Sequence, residues 1–186
     1  MLKIVQRALF FLCFFLLGSC DSSRPNIKKR SAQNFINTIV ATLHSSTSTS
    51  GPFVAYFEVI KPSGELFPES KLDRNKIDSL KNYYNNYMNS LAEGISKLSN
   101  LNEFDTSLKV VKPCLDFLKK TKDASSKTFP SWFKVYELGW DKASDSDRLI
   151  ILITPKILRD TELSSPYNMD TILNQFRRKY DLKINR

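Results

Sequence analysis

Hydrophobic residues recur along much of this chain at the three-to-four-residue spacing of amphipathic helices. The longest such pattern covers residues 74–98, where the apolar positions lie opposite a face rich in asparagine. A second pattern starts after Ser31, which is expected to cap the helix, and continues to Leu43. A third covers residues 169–180 and ends in basic residues. The sequence therefore predicts three amphipathic helices, each packing one face on a core.

Three shorter segments have the composition of β-strands, because aromatic and β-branched residues dominate them. They are residues 53–60, 132–138 and 149–154, separated from their neighbours by turn residues at 61–64, by polar stretches at 45–52 and 139–147, and by Pro155. Strands with largely apolar faces belong in a sheet that other elements cover. The sequence therefore predicts an α+β domain, with a small, mainly antiparallel sheet packed by amphipathic helices.

Residues 105–121 leave two alternatives open. Apolar residues recur there at helical spacing, but Pro113 lies among them and would remove one helical hydrogen bond. Either a single helix kinks near Pro113, or a short strand at 108–111 gives way to a helix that has Pro113 in its first turn. The kinked helix is slightly favoured.

The amino terminus has the layout of a signal peptide. Lys3 and Arg7 precede an uncharged apolar run over residues 8–17, which Gly18 and Ser19 then interrupt. A membrane-spanning helix needs about 20 apolar residues, so this run is too short to cross a bilayer. We therefore expect residues 1–19 to direct export and to be removed.

The four residues Leu17-Gly18-Ser19-Cys20 resemble the lipobox of bacterial lipoproteins, in which an aliphatic residue and two small residues precede a cysteine. The resemblance implies that a diacylglyceryl group is attached to the Cys20 thiol and that a signal peptidase cuts just before it. The mature protein would then be held by fatty acyl chains such as palmitate on the extracytoplasmic side of a membrane. The alternative is an ordinary secretory signal. Asp21 does not decide between the inner and the outer membrane.

The expected organisation is a cleaved signal at 1–19, a lipidated cysteine with a basic tether at 20–30, and one globular domain at 31–186. The formal charge of the chain is +9. Much of it lies in two clusters: Arg24, Lys28, Lys29 and Arg30 beside the tether, and Arg177, Arg178, Lys179, Lys183 and Arg186 at the carboxyl end. The first cluster is expected to lie on an anionic leaflet, and the second is expected to be a solvated helix face. Nucleic acid is not expected as a partner, because an exported protein does not meet it.

Few residues suggest chemistry. Cys114 has no partner for a disulfide once Cys13 leaves with the signal and Cys20 carries lipid, and its apolar neighbours predict burial. The single histidine, His44, supports neither a metal cluster nor a catalytic triad. Two weak candidates remain: a calcium loop at Asp141, Asp145 and Asp147, for which a solvated turn is the better interpretation, and a hydrolytic carboxylate pair among Glu58, Glu65 and Glu69. No catalytic residue, metal or cofactor is predicted.

The function expected from these features is that of a membrane-anchored envelope lipoprotein. Its domain is predicted to be a non-catalytic module for protein interaction or assembly, using the tyrosine-asparagine face of helix 74–98 or the basic carboxyl end. The alternative is a binding module for a small ligand or a cell-wall glycan, with a pocket lined by Trp132, Tyr136 and Trp140. An unrecognised hydrolase is the third possibility.

Overall fold

The computed structural model describes residues 24–60, 72–163 and 166–182. Within these ranges the chain forms six α-helices and one 3-10 turn: α1 (Arg24–Ser48), α2 (Ser50–Ile60), α3 (Arg74–Ser99), α4 (Val111–Leu138), the turn (Trp140–Lys142), α5 (Asp145–Leu163) and α6 (Pro166–Lys179). No strand occurs among the described residues, so the prediction of an α+β domain with an antiparallel sheet is wrong. The fold is a helical bundle.

The helices form four rods that run alternately in opposite directions. The first rod is α1 followed by α2, and α3 returns beside both, as three close pairs show: Ser46 with Gly94, Phe53 with Tyr87, and Tyr56 with Tyr83. The third rod, α4, runs antiparallel to α3, since Leu118 lies near Gly94 and Phe129 lies near Tyr84. Each rod therefore packs along the next one in the chain, which is the arrangement of an up-down-up-down bundle.

The fourth rod is α5 followed by α6, and it runs antiparallel to α4. The Trp132 indole N–H donates to Thr154 Oγ1 at 3.2 Å, and Lys134 Nζ lies 3.4 Å from Asp147 of α5. At its far end, α6 reaches the first half of α1, where the Phe176 ring lies 5.4 Å from that of Phe35. The carboxyl end of α6 therefore lies beside the beginning of α1.

Aromatic rings fill the core in two clusters. One lies between α2, α3 and α4 around Phe53, whose ring meets that of Phe129 edge-on at 4.7 Å. The other lies between α1, α6 and the loop at residues 100–110, where Phe104 contacts both Phe35 and Phe176. Such tilted and edge-on pairs stabilise a core by about 1 kcal/mol each beyond the area they bury. The second cluster attaches α6 to the start of the bundle.

All three predicted strands are helical. Residues 53–60 form most of α2, residues 132–138 end α4, and residues 149–154 lie within α5. Short apolar runs of this length do not distinguish a strand from a helix that neighbours cover on several sides. Pro155 does not stop the last segment, because it lies inside α5 with its ring exposed. The polar stretch 45–52 is also helical apart from a break at Thr49.

The three predicted helices are confirmed, with shifted ends. Helix 74–98 corresponds closely to α3, helix 169–180 to α6, and the helix predicted from Ser31 to α1. Because α1 begins at Arg24, part of the segment interpreted as a tether is helical. Neither alternative for residues 105–121 is right in full: the chain is irregular to Val110, and α4 then starts with Pro113 in its first turn.

Candidate functional site at the basic end of the bundle

The fold places the described residues of the two basic clusters at the same end of the bundle. Lys29 of α1 forms a 2.6 Å ion pair with Asp181, which follows α6. Lys28 Nζ lies 5.8 Å from the centre of the Tyr180 ring, within range of a cation–π contact. We call this end of the molecule, formed by the start of α1, the loop 100–110, the start of α4 and the end of α6, the basic end.

Asp105 connects the loop to α6 at the basic end. Its carboxylate accepts hydrogen bonds from the Tyr180 hydroxyl at 2.7 Å and from the Ser107 backbone N–H at 2.9 Å, and it pairs with Lys179. The hydrogen bond from Lys179, with those from Ser107 and Tyr180, lowers the pKa of Asp105 far below its usual range. Burial, and then the hydrogen bond to Asp105, raises the pKa of Tyr180 to about 12. These groups serve to hold α6 against the loop.

Glu103 fixes the start of α4 on the same loop. The residue before this helix, Val110, makes no side-chain hydrogen bond that caps it. Instead the Glu103 carboxylate accepts from the backbone N–H groups of Val110, Val111 and Lys112 at 2.8 to 3.1 Å. A carboxylate at this position also offsets the positive end of the helix dipole. The loop thus positions α4 and α6 together.

Charge is distributed unevenly between the two ends of the bundle. Among the side chains that the structure describes, the basic end has eight cations and four anions: Lys28, Lys29, Arg30, Lys109, Lys112, Arg177, Arg178 and Lys179 against Glu103, Asp105, Asp116 and Asp181. The opposite end has six cations and seven anions: Arg74, Lys76, Lys81, Lys134, Lys142 and Arg148 against Glu58, Asp73, Asp78, Glu137, Asp141, Asp145 and Asp147. The excess positive charge is therefore concentrated at one end.

The anions of the basic end are already engaged within the protein. Asp116 pairs with Lys112 on the surface of α4, and Glu103 is occupied by backbone N–H groups. By contrast, the described part of the chain supplies no ion-pair partner for four exposed cations: Lys28, Arg30, Lys109 and Arg178. These four charges face solvent and are available to an external anion.

Two shallow clefts lie on the basic end and share Thr106. A cleft of about 760 Å³ between α1 and α6 has Lys28, Lys29 and Lys179 in its walls. A cleft of about 580 Å³ between α4 and α6 has Lys109, Lys112 and Lys120 in its walls. Both are open to solvent and mainly basic. Their shape suits contact with a charged surface better than enclosure of a small molecule.

The lipobox residues Leu17, Gly18, Ser19 and Cys20 lie outside the described residues, as do Glu65, Glu69, Lys183 and Arg186. Cys114 is buried, as predicted, and burial raises the pKa of its thiol to about 12. His44 is exposed on α1, and Glu58 is exposed on α2. Neither His44 nor Glu58 lines the two clefts of the basic end.

The three aspartates proposed as a weak calcium loop do not converge. Asp147 is buried at the start of α5, where Ser144 donates to its carboxylate at 2.6 Å and lowers its pKa. Asp145 pairs instead with Arg148, and Asp141 is exposed on the 3-10 turn. Within the described ranges, no group of three or more histidine, cysteine, aspartate or glutamate side chains is placed to hold a metal ion. Asp147 has a structural role at the start of α5.

The aromatic residues expected to line a ligand pocket belong to the core instead. Trp132 and Tyr136 are buried against Phe57, and Trp140 is half-buried on the 3-10 turn. A different cavity, of about 270 Å³, lies between α1, α2, α3 and α4 with Phe53, Tyr87, Phe117 and Phe129 in its walls. The Thr121 hydroxyl, also in its wall, makes no hydrogen bond within the described part of the chain. This cavity could not be predicted from the sequence, because its walls come from four separate helices.

Neither Asp105 nor Glu103 was predicted from the sequence to have a role. An Asx turn, in which an aspartate binds the backbone two residues later, was a local signal at Asp105 and Ser107.

Among the described helices, none is both long and apolar enough to cross a bilayer. Comparisons of the chain with protein-family models, with curated proteins and with solved structures find no match.

Proposed function

We propose that this protein is a lipid-anchored envelope protein whose helical bundle binds another protein at the membrane surface without catalysing a reaction. An observation about chain length supports the anchored part of the proposal. The first helix among the described residues begins at Arg24, four residues after Cys20. A lipid on Cys20 would therefore hold a folded bundle directly against the bilayer, on its extracytoplasmic side.

The interaction role is carried by an exposed apolar stripe on α5. Leu149, Leu152 and Ile153 are 58%, 62% and 40% exposed, and their spacing places them on one face of the helix. The opposite face of α5 buries Ile151 and Thr154 against the core. Large apolar side chains grouped on a surface are typical of a protein interface. We call these three residues the α5 stripe.

Charges around the α5 stripe favour a protein over a lipid as its partner. Asp145, Arg148, Lys156 and Asp160 flank it, so its rim carries both signs. A surface that inserts into an anionic bilayer is instead rimmed by lysine and arginine. An apolar centre with a mixed polar rim is the usual anatomy of a protein–protein interface.

The ionisable groups with shifted pKa values support a non-catalytic role. Asp105 and Tyr180 tie the loop to α6, and Asp147 lies in the first turn of α5. Cys114 and Tyr136 lie in the core, where burial raises the pKa of each. Each shift has a structural cause. Asp105 and Tyr180 line the cleft between α1 and α6 together, but Tyr180 donates to Asp105 and Asp105 also pairs with Lys179, so both groups are engaged within the protein rather than poised as an acid and a base.

The anchor can be tested by labelling cells with a fatty acid. We expect the wild-type protein to incorporate the label and to sediment with membranes, and we expect Cys20→Ala to lose both properties. Cys114→Ala is the matched control, because it removes the buried thiol and leaves Cys20 intact. A Cys20→Ala protein that is still labelled or still sediments with membranes would overturn the anchored part of the proposal.

The α5 stripe can be tested by cross-linking in intact cells, followed by mass spectrometry. We expect a protein that cross-links to the wild type to be lost from Leu149→Glu/Leu152→Glu, because two buried carboxylates would oppose an apolar interface. Val40→Glu/Val59→Glu is the control, since these α1 and α2 side chains are 36% and 79% exposed but lie on another rod. Equal cross-linking by the stripe variant would contradict the interface.

A second candidate function is supported by the cavity near Thr121. Its aromatic walls and unpaired hydroxyl suit a small, mainly apolar molecule with one polar group. Intact-cell cross-linking that yields no partner, together with specific binding of a small ligand that Phe129→Ala weakens, would favour this function over protein interaction.

A further inference from the structure

We propose that the basic end of the bundle is a docking face for anionic phospholipid headgroups, so that the protein rests on the membrane by this end. The inference deepens the anchored part of the proposed function by naming a second, non-covalent attachment. It combines three observations: the available charge, one exposed apolar side chain, and the short distance to Cys20.

The charge at the basic end is suited to a surface of phosphates. Four exposed cations, Lys28, Arg30, Lys109 and Arg178, have no ion-pair partner within the described residues. They come from α1, the loop and α6, and the Lys29–Asp181 ion pair holds the two helices together. The cations are thus spread over the end of the bundle, as contact with a planar array of headgroups requires.

Ile27 adds an apolar contact to the basic end. Its side chain is 64% exposed at the start of α1, immediately before Lys28, Lys29 and Arg30. An apolar side chain surrounded by lysine and arginine is the composition of an interfacial membrane site, where the apolar group enters the acyl boundary and the cations pair with phosphates. The α5 stripe lacks this basic surround, so the two exposed apolar surfaces suit different partners.

The length of the chain places this face at the bilayer. Four peptide units separate Cys20 from Arg24, and an extended chain of that length spans at most about 14 Å. Salt screens charges over about 8 Å at physiological ionic strength. With Cys20 lipidated, the start of α1 would remain within reach of the headgroups, and the end of α6 lies beside it.

The docking face can be measured without the lipid anchor. The chain from residue 20 onward with Cys20→Ser includes the residues of every described helix. We expect it to bind vesicles of phosphatidylcholine that contain one-third phosphatidylglycerol, and to bind vesicles of phosphatidylcholine alone at least tenfold more weakly. Co-sedimentation at low and at physiological salt would measure both affinities.

Two matched variants assign the binding to the basic end. Lys28→Gln/Lys109→Gln/Arg178→Gln removes three unpaired cations, and we expect at least a tenfold loss of affinity for the anionic vesicles. Arg74→Gln/Lys76→Gln/Lys142→Gln removes the same charge from the opposite end and is expected to change affinity less than threefold. Ile27→Ser should weaken binding severalfold, whereas Val59→Ser, at the end of α2, should not.

Three outcomes would overturn the docking face: equal losses in the two charge variants, equal binding to neutral and anionic vesicles, and displacement by inorganic phosphate at its physiological concentration. The last would indicate a site for a free anion. Because the measurement uses a chain without lipid, its failure is independent of the labelling of Cys20. Circular dichroism of each variant would separate a loss of binding from a loss of fold.

Discussion

Gly94→Ala is expected to lower the free energy of unfolding by about 2 kcal/mol, although alanine is the better helix former by about 1 kcal/mol. Gly94 is buried where α3 crosses the end of α1. A methyl group there would lie 2.9 Å from Ser46 Cβ and 3.0 Å from Leu118 Cδ1. The Ser46 Cβ atom is fixed to the backbone of α1 and cannot rotate away, so the helices would have to separate.

Urea unfolding followed by circular dichroism would measure this effect, and Gly51→Ala is its control. Gly51 lies near the start of α2, and an added Cβ there meets no atom within 4 Å. We expect Gly51→Ala to be neutral or stabilising by up to about 1 kcal/mol. Combining Gly94→Ala with Ser46→Ala should recover only part of the loss, because the Cβ contact remains. If Gly94→Ala is as stable as Gly51→Ala, the close packing of α1 and α3 is wrong.

Glu103→Ala is expected to lower the free energy of unfolding by about 2–3 kcal/mol. The change removes the acceptor of three backbone N–H groups at the start of α4, and two of these belong to the buried residues Val110 and Val111. A buried donor that loses its acceptor costs more than a surface hydrogen bond contributes. Because α4 packs against α3, α5 and α6, the loss should affect global stability.

Two further variants distinguish capping from the loss of a surface charge. Glu103→Gln keeps one acceptor oxygen and is expected to lose about half as much stability as the alanine variant. Glu93→Ala removes an exposed carboxylate from α3 and should change stability by less than about 0.5 kcal/mol. Hydrogen exchange at the amides of residues 110–112 should accelerate in Glu103→Ala. Loss of stability no greater than in Glu93→Ala would refute the capping role.

The helix at 74–98 could be predicted because one side of it faces solvent. In α3, buried Ile77, Leu80 and Leu91 alternate with exposed asparagines, so the period of 3.6 residues is visible in the sequence. In α2 the apolar residues lie on every side: Phe53 and Ile60 are buried, whereas Val54 and Val59 are exposed. No polar face marks the period there, and the β-branched and aromatic composition was misinterpreted as a strand.

Residues 132–138 illustrate a different error. Phe129, Trp132, Phe133 and Tyr136 follow helical spacing, and all four pack into the core from α4. Pro130 lies inside the same helix, although an interior proline ordinarily argues against a helix. Its ring is exposed, and the carbonyl that it leaves without a donor belongs to Ser126, which is also exposed. Water can satisfy that carbonyl, so the helix continues past the proline.

The two basic clusters were visible in the sequence, but their position at one end of the bundle was not. The Lys29–Asp181 ion pair joins residues 152 positions apart. Lys29 and Asp181 can meet because the chain forms four rods, which is an even number. The last rod therefore ends at the end of the bundle where the first rod begins. The number of rods could not be counted from the sequence, because three helical segments were interpreted as strands. The two clusters were therefore interpreted separately, although the structure places Lys29 beside Asp181.

By itself, the sequence determined the features that depend on near neighbours in the chain: the helices α1, α3 and α6, the burial of Cys114, and the two basic clusters. Only the tertiary structure decided that the described residues form a helical bundle without strands, that Asp105 and Glu103 organise the basic end, and that the α5 stripe remains exposed. The physical reason is that periodicity reveals a helix with one solvent face. A segment covered on several sides takes its conformation from contacts that are distant in the sequence.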